Sequence, residues 1–122
     1  MINEERAALL LDKYGDDLYR FAYILTLSED TAGHAVSDAF AEASGRSLLS
    51  NSDKDDKKLL FSLIYKNTAK CKSGSFDEDK YGKKSETFYE IIKLPLKERA
   101  SNHLALYEDM TEQDIQEAVK AK

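Results

Sequence analysis

The groups in this sequence best suited to contact a ligand are six lysines and two aromatic residues that share one stretch. Residues 47–74 hold Lys54, Lys57, Lys58, Lys66, Lys70 and Lys72 against three aspartates, net +3. The blocks around them are acidic: residues 1–46 carry four Lys/Arg against nine Asp/Glu, and residues 94–122 carry four against six. Lysine ammonium groups bind phosphates, and a ring such as Phe61 or Tyr65 set among them can stack on a base. That is the chemistry of nucleic-acid contact. A solvated lysine face, with Phe61 and Tyr65 turned into a core, uses the same residues at the same spacing. The net charge of −5 over 122 residues argues against nucleic-acid binding through the whole surface, so residues 47–74 are where DNA would be touched.

Other candidate chemistry is thin. Asp30, His34 and Asp38 stand at i, i+4 and i+8 on one predicted helix, and ligands spread over two turns do not converge on one ion. They read as a solvated face, and neither a metal nor a cofactor is expected. His103 reads as a helix-packing residue. No Ser/His/Asp set, glycine-rich phosphate loop or paired-histidine motif occurs, so catalysis is not expected. Cys71 stands alone, which rules out an intrachain disulfide framework and agrees with a reducing cytoplasm. The chain has no run of 18 apolar residues, so no membrane span is expected, and the acidic first ten residues lack the cationic start of a signal peptide.

The elements that must position these groups are helices. One proline, five glycines and 42% apolar residues suit an all-α chain with a modest core. Leu10, Tyr14, Leu18, Phe21 and Leu25 recur at helical spacing and predict an amphipathic helix over 3–27. Ser28 is a suitable N-cap for a second helix whose stripe is Ala32, Ala35, Val36, Ala39, Phe40 and Ala43, with Gly45 as its stop. A polar loop leads to a third helix, capped near Ser52 or Asp53, with Leu59, Leu60, Leu63 and Ile64 as its apolar positions. Residues 73–85 show no periodicity and read as a linker. Ser85 can cap a short helix carrying Phe88, Ile91 and Ile92. Pro95 opens the next helix, since its missing N–H costs nothing in a first turn. Its face is Leu96, Ala100, His103, Leu104 and Tyr107. Thr111 then caps a last helix, with Asp114 three residues on. Six helices result, and the last two form the opening of a helix-turn-helix.

The order of residues in the last third, Leu94-Pro95 followed by Arg99, then Leu104, Tyr107-Glu108, Met110-Thr111 and Asp114-Ile115, resembles region 4 of the sigma-70 family, most closely the extracytoplasmic-function type. Residues 9–27 resemble the opening helix of sigma region 2. Ile64-Tyr65-Lys66-Asn67 resembles the end of regions 2.3 and 2.4, with Leu60 where tryptophan is usual. Ala32, Val36 and Phe40 match the inward positions of the helix that, in the family, docks on a coiled coil of the polymerase β′ subunit. Of its outward polar positions Asp38 is kept, while Gly33, His34 and Ser37 differ.

The resemblance implies a sigma region 2-like helical domain over 1–72, a linker over 73–85 and a partial region 4-like unit over 86–122, ending at Lys122 where a recognition helix would begin. It implies polymerase contact through His34, Ser37, Asp38 and Glu42. It implies −10 promoter contact through Phe61, Tyr65, Lys66, Asn67, Lys70 and Lys72. Two functions are compatible with it. One is a transcription initiation factor that binds core RNA polymerase and promoter DNA. The other is a sigma-like module that acts on an anti-sigma factor, another sigma factor or itself, without binding DNA independently.

Overall fold

Four hydroxyl side chains set where helices begin. Ser28, Ser52, Ser85 and Thr111 lie in extended backbone, and each accepts a hydrogen bond from the N–H three residues on. Each cap satisfies one of the donors that a helix start leaves without a partner. The structure is a computed structural model that describes residues 3–46, 48–50, 52–70 and 76–119. Its described residues form seven helices and no strand: α1 (Asn3–Thr26), α2 (Glu29–Gly45), α3 (Asp53–Ala69), α4 (Glu78–Tyr81), α5 (Glu86–Ile92), α6 (Leu96–Tyr107) and α7 (Glu112–Ala118). None is long and apolar enough to cross a membrane.

Helices α1, α2 and α3 pack mutually, with small residues where α2 comes close. Ala32, Ala35, Ala39 and Ala43 are all buried. Phe21 of α1 meets Phe61 of α3 edge-on at 5.0 Å between ring centres, the geometry that the ring quadrupole favours. The N-terminal turn of α1 is tied to the start of α3 by charge. Buried Arg6 donates to Asp56 at 2.9 Å and to Asp53 at 2.7 Å, and Asp56 also accepts from Ser50 N–H and Oγ. Hydrogen bonds from Lys13 and then from the Arg6 guanidinium hold the Asp53 carboxyl well below the usual range, at about 2.

Two expectations are revised. The predicted linker contains α4, so the described residues hold seven helices and not six; residues 71–75, including Cys71, lie outside those described. Tyr81 of α4 packs against Tyr23 at 6.0 Å and donates to Glu29. The helices after the linker also join the core of the first three. Ile91, Ala100, Leu104, Ile115, Ala118 and Val119 belong to one cluster with Leu18, Phe21, Leu60 and Ile64. α6 lies on α1 and α7 on α3.

Arg99 makes the first of these contacts possible. Its NH1 donates to the carbonyls of Ile24 and Leu25 at 3.2 and 3.3 Å, and its NH2 to those of Ile92 and Leu94 at 2.9 and 3.2 Å. The last carbonyls of a helix have no partner within it. One guanidinium therefore closes the end of α1 and the end of α5 together. Leu27, the first residue after α1, takes φ +55° and its N–H donates to Tyr23 O at 2.6 Å, which completes the α1 stop in the left-handed form usually left to glycine.

Candidate functional site

Four of the six lysines of residues 47–74 sit on α3, and three of these four are held by acids of this same chain. Lys57 Nζ lies 2.9 Å from Glu108 at the end of α6 and 4.9 Å from the ring centre of Tyr14. Lys58 Nζ lies 2.6 Å from Glu117 and 3.6 Å from Asp114, both of α7. Lys66 Nζ donates to Glu42 of α2 at 2.8 Å. The basic helix and the acidic C-terminal helices thus neutralise each other across their contact. Lys54 and Lys70 are exposed and form no ion pair among the described residues. Lys72 lies outside the described residues.

The two rings are not where base stacking needs them. Phe61 is fully buried and Tyr65 is 6% exposed, so both face the core and neither presents a ring face to solvent. The cause is the position of α3, which is covered by α1, α2 and α7 and so buries several arcs of its surface. Asn67 is half-buried, and its Nδ2 reaches the Ala35 carbonyl of α2 at 3.5 Å. Of the six residues proposed for DNA, Lys70 is the one described residue that is both exposed and outside an ion pair.

The polymerase-type residues gather differently. His34, Ser37 and Asp38 are exposed on one face of α2, and Glu42 continues that face one turn on. This follows from the stripe behind them: with Ala32, Ala35, Val36 and Ala39 inward, the intervening positions must point out. Glu42 is fixed between Lys66 and Arg46, the latter at 2.9 Å, and the Lys66 hydrogen bond chiefly holds its carboxyl below the usual range. Asn67 and Lys66 therefore both brace the back and flank of α2. Residues assigned by resemblance to two separate jobs meet at one α2–α3 seam.

His103 is a site residue in a sense that its sequence reading as helix packing only half captures. It is buried between Phe21, at 5.6 Å, and Tyr107, at 4.9 Å, and neither ring nitrogen has a hydrogen-bond partner. Burial pushes its pKa down to about 4, so the ring is neutral at pH 7. The unfolded chain takes up this proton near 6.5 and the folded chain only near 4, so stability is lost as pH falls through that window. His103→Phe removes this term. The stability gap between variant and wild type should widen by about 2 kcal/mol between pH 7 and pH 4.5. Urea unfolding of both proteins at the two pH values measures it. Glu108, raised by burial, works the opposite way in both proteins and cancels in the comparison.

Among the described residues no group of three or more His, Cys, Asp or Glu is placed to hold a metal ion. Asp30, His34 and Asp38 are all exposed along α2. The contacts that the sequence reading missed are Arg99 and the Lys57 and Lys58 pairs. Arg99 did stand out, four residues after Pro95, but its acceptors are carbonyls 74 and 75 residues away, which no side-chain pattern records. Compared with protein-family models, with curated proteins and with solved structures, the chain matches none of them.

Proposed function

We propose that this chain is a sigma-like transcription module that works by protein contact, docking the outer face of α2 on core RNA polymerase, and that it does not bind promoter DNA on its own. The observation that carries the reading is the division of the candidate residues. His34, Ser37 and Asp38 are presented together to solvent, with Glu42 locked in register beside them. The DNA candidates Phe61 and Tyr65 are core residues, and Lys66 is engaged by Glu42. The resemblance supplies the partner, the coiled coil of the β′ subunit. The net charge of −5 agrees with protein contact more readily than with independent DNA binding.

Asp38→Arg tests this reading. Asp38 is exposed, so the variant should keep wild-type stability within about 0.5 kcal/mol. Its affinity for purified core polymerase should fall at least about tenfold, because a charge reversed within an interface costs more than one removed. Equal capture of polymerase by both proteins contradicts the proposal.

A second reading, direct −10 promoter contact, is favoured by Lys54 on α3 and Lys70 just past its end, which are exposed outside any ion pair among the described residues. Fluorescence anisotropy with a labelled −10 fragment separates the two. The chain alone should bind no tighter than the non-specific range of about 1–100 μM at physiological salt. Sequence-dependent binding well below that range would establish the second reading instead.

A further inference from the structure

A cavity of about 360 Å³ opens between α1 and α6. Its walls are aromatic: Tyr19 and Tyr23 from α1, Phe88 from α5, and His103 and Tyr107 from α6. Tyr19 and Tyr23 lie nearly parallel, 22° apart, with ring centres separated by 6.4 Å. The rings of His103 and Tyr107 lie 4.9 Å apart, tilted 41° to each other. Such walls accept a flat ring by offset or edge contact.

The polar groups at this cavity are the unusual part. The Tyr23 hydroxyl and both nitrogens of His103 are buried with no hydrogen-bond partner, and His103 is 5% exposed. Buried polar groups in folded proteins nearly always have partners, because leaving one without costs free energy. Here three such atoms belong to two residues that line the same opening. A neutral imidazole offers one N–H and one lone pair, and the phenol offers one O–H and its lone pairs. Neighbouring tyrosines do not relieve them, since Tyr81 and Tyr89 donate to Glu29 and Glu78.

Three of the four charged residues at the rim are compensated within the chain, and the fourth, Lys84, is exposed and has no acid partner among the described residues. Asp17 lies 3.8 Å from Arg20, and Glu108 is 2.9 Å from Lys57. The site therefore carries one uncompensated positive charge at its rim. Its size falls at the small end of ligand cavities, suited to one or two fused rings rather than to a peptide helix, which needs a long groove.

We propose that the α1–α6 cavity binds a small planar heterocycle that carries both a hydrogen-bond donor and an acceptor, seated between the aromatic walls, where small side-chain shifts of Tyr23 and His103 bring their buried polar atoms to it. This assignment does not depend on the polymerase reading, because the cavity and the outer face of α2 share no residue.

The test is an NMR titration of the full chain with benzimidazole, which has one N–H and one acceptor nitrogen on a flat bicycle, beside indole, which has the N–H alone. Benzimidazole should give saturable shifts of the His103 imidazole and Tyr23 signals, with a dissociation constant at or below about 1 mM, a range open to fragments of this size. Indole should bind about fivefold more weakly, the worth of one neutral hydrogen bond. Tyr23→Phe removes a single oxygen and should weaken benzimidazole by a similar factor. His103→Phe should abolish saturable binding while raising the melting temperature of the free chain, since it removes two buried groups without partners. That opposite movement of affinity and stability is what a purely structural histidine would not produce. Absence of saturation at 10-fold above the expected constant, or affinity unchanged in both variants, overturns the proposal.

Discussion

Phe61→Ala is expected to lower the unfolding free energy by about 4 kcal/mol, the usual cost of deleting a buried phenylalanine. Phe61 is fully buried, and it meets Phe21 edge-on at 5.0 Å in the middle of the α1–α3 contact. Truncation removes the ring's own burial, leaves a cavity that neighbouring helices cannot collapse into, and strips Phe21 of its partner. The loss is a large share of the roughly 5–15 kcal/mol that holds a domain of this kind. Urea unfolding should show the midpoint falling by about 2 M, for a slope near 2 kcal/mol per molar. Phe61→Leu keeps most of the volume and should lose less than half as much. A Phe61→Ala protein of wild-type stability that had lost DNA binding would instead place this ring on the surface, as a base-stacking residue.

Arg99→Met is the second large effect, at about 3 kcal/mol, although it keeps the aliphatic stem and the volume. The loss comes from the four carbonyls that the guanidinium serves, two closing α1 and two around the end of α5. Hydrogen bonds to a charged donor are worth more than neutral ones, and buried carbonyls left without a donor carry their own desolvation cost. Arg99→Lys is expected to recover little. An ammonium is a point donor and cannot span acceptors on two helices as a planar fork does. Amide hydrogen exchange offers a local check. Protection should fall first at the C-terminal turn of α1 and at α5, while α2 keeps its wild-type rates.

Much of the helical frame was legible because its signals are local. Ser28, Ser52, Ser85 and Thr111 cap helices within three residues of themselves, and the alanine stripe of α2 fixes its own inward face. α4 was not legible. Its four residues, Glu78–Tyr81, have no apolar period, and Tyr81 is held by a partner 52 residues away in Glu29. α3 misled the site reading for a physical reason. A surface helix buries one stripe, but α3 is covered by three other helices and buries Asp56, Leu60, Phe61, Leu63, Ile64, Tyr65 and Thr68. On such a helix, an aromatic residue beside a lysine says nothing about exposure. The same distance in sequence hid the fate of the lysines. Blocks of opposite net charge were visible, yet only the packing of α7 on α3 turns them into the Lys58 pairs with Asp114 and Glu117. The outer face of α2 was legible throughout, since its exposure follows directly from the stripe behind it.

The central claim is that this outer face touches polymerase, and site-specific photocrosslinking tests it most directly. A benzophenone amino acid replaces Ser37, exposed between His34 and Asp38, and a control chain carries it at Leu11, which is 51% exposed on α1. Each is irradiated with core RNA polymerase, and the product is mapped by mass spectrometry. The account predicts a crosslink from position 37 to the coiled coil of the β′ subunit and none there from position 11. A β′ crosslink of equal yield from both positions, or none from position 37 in a folded chain, would contradict it.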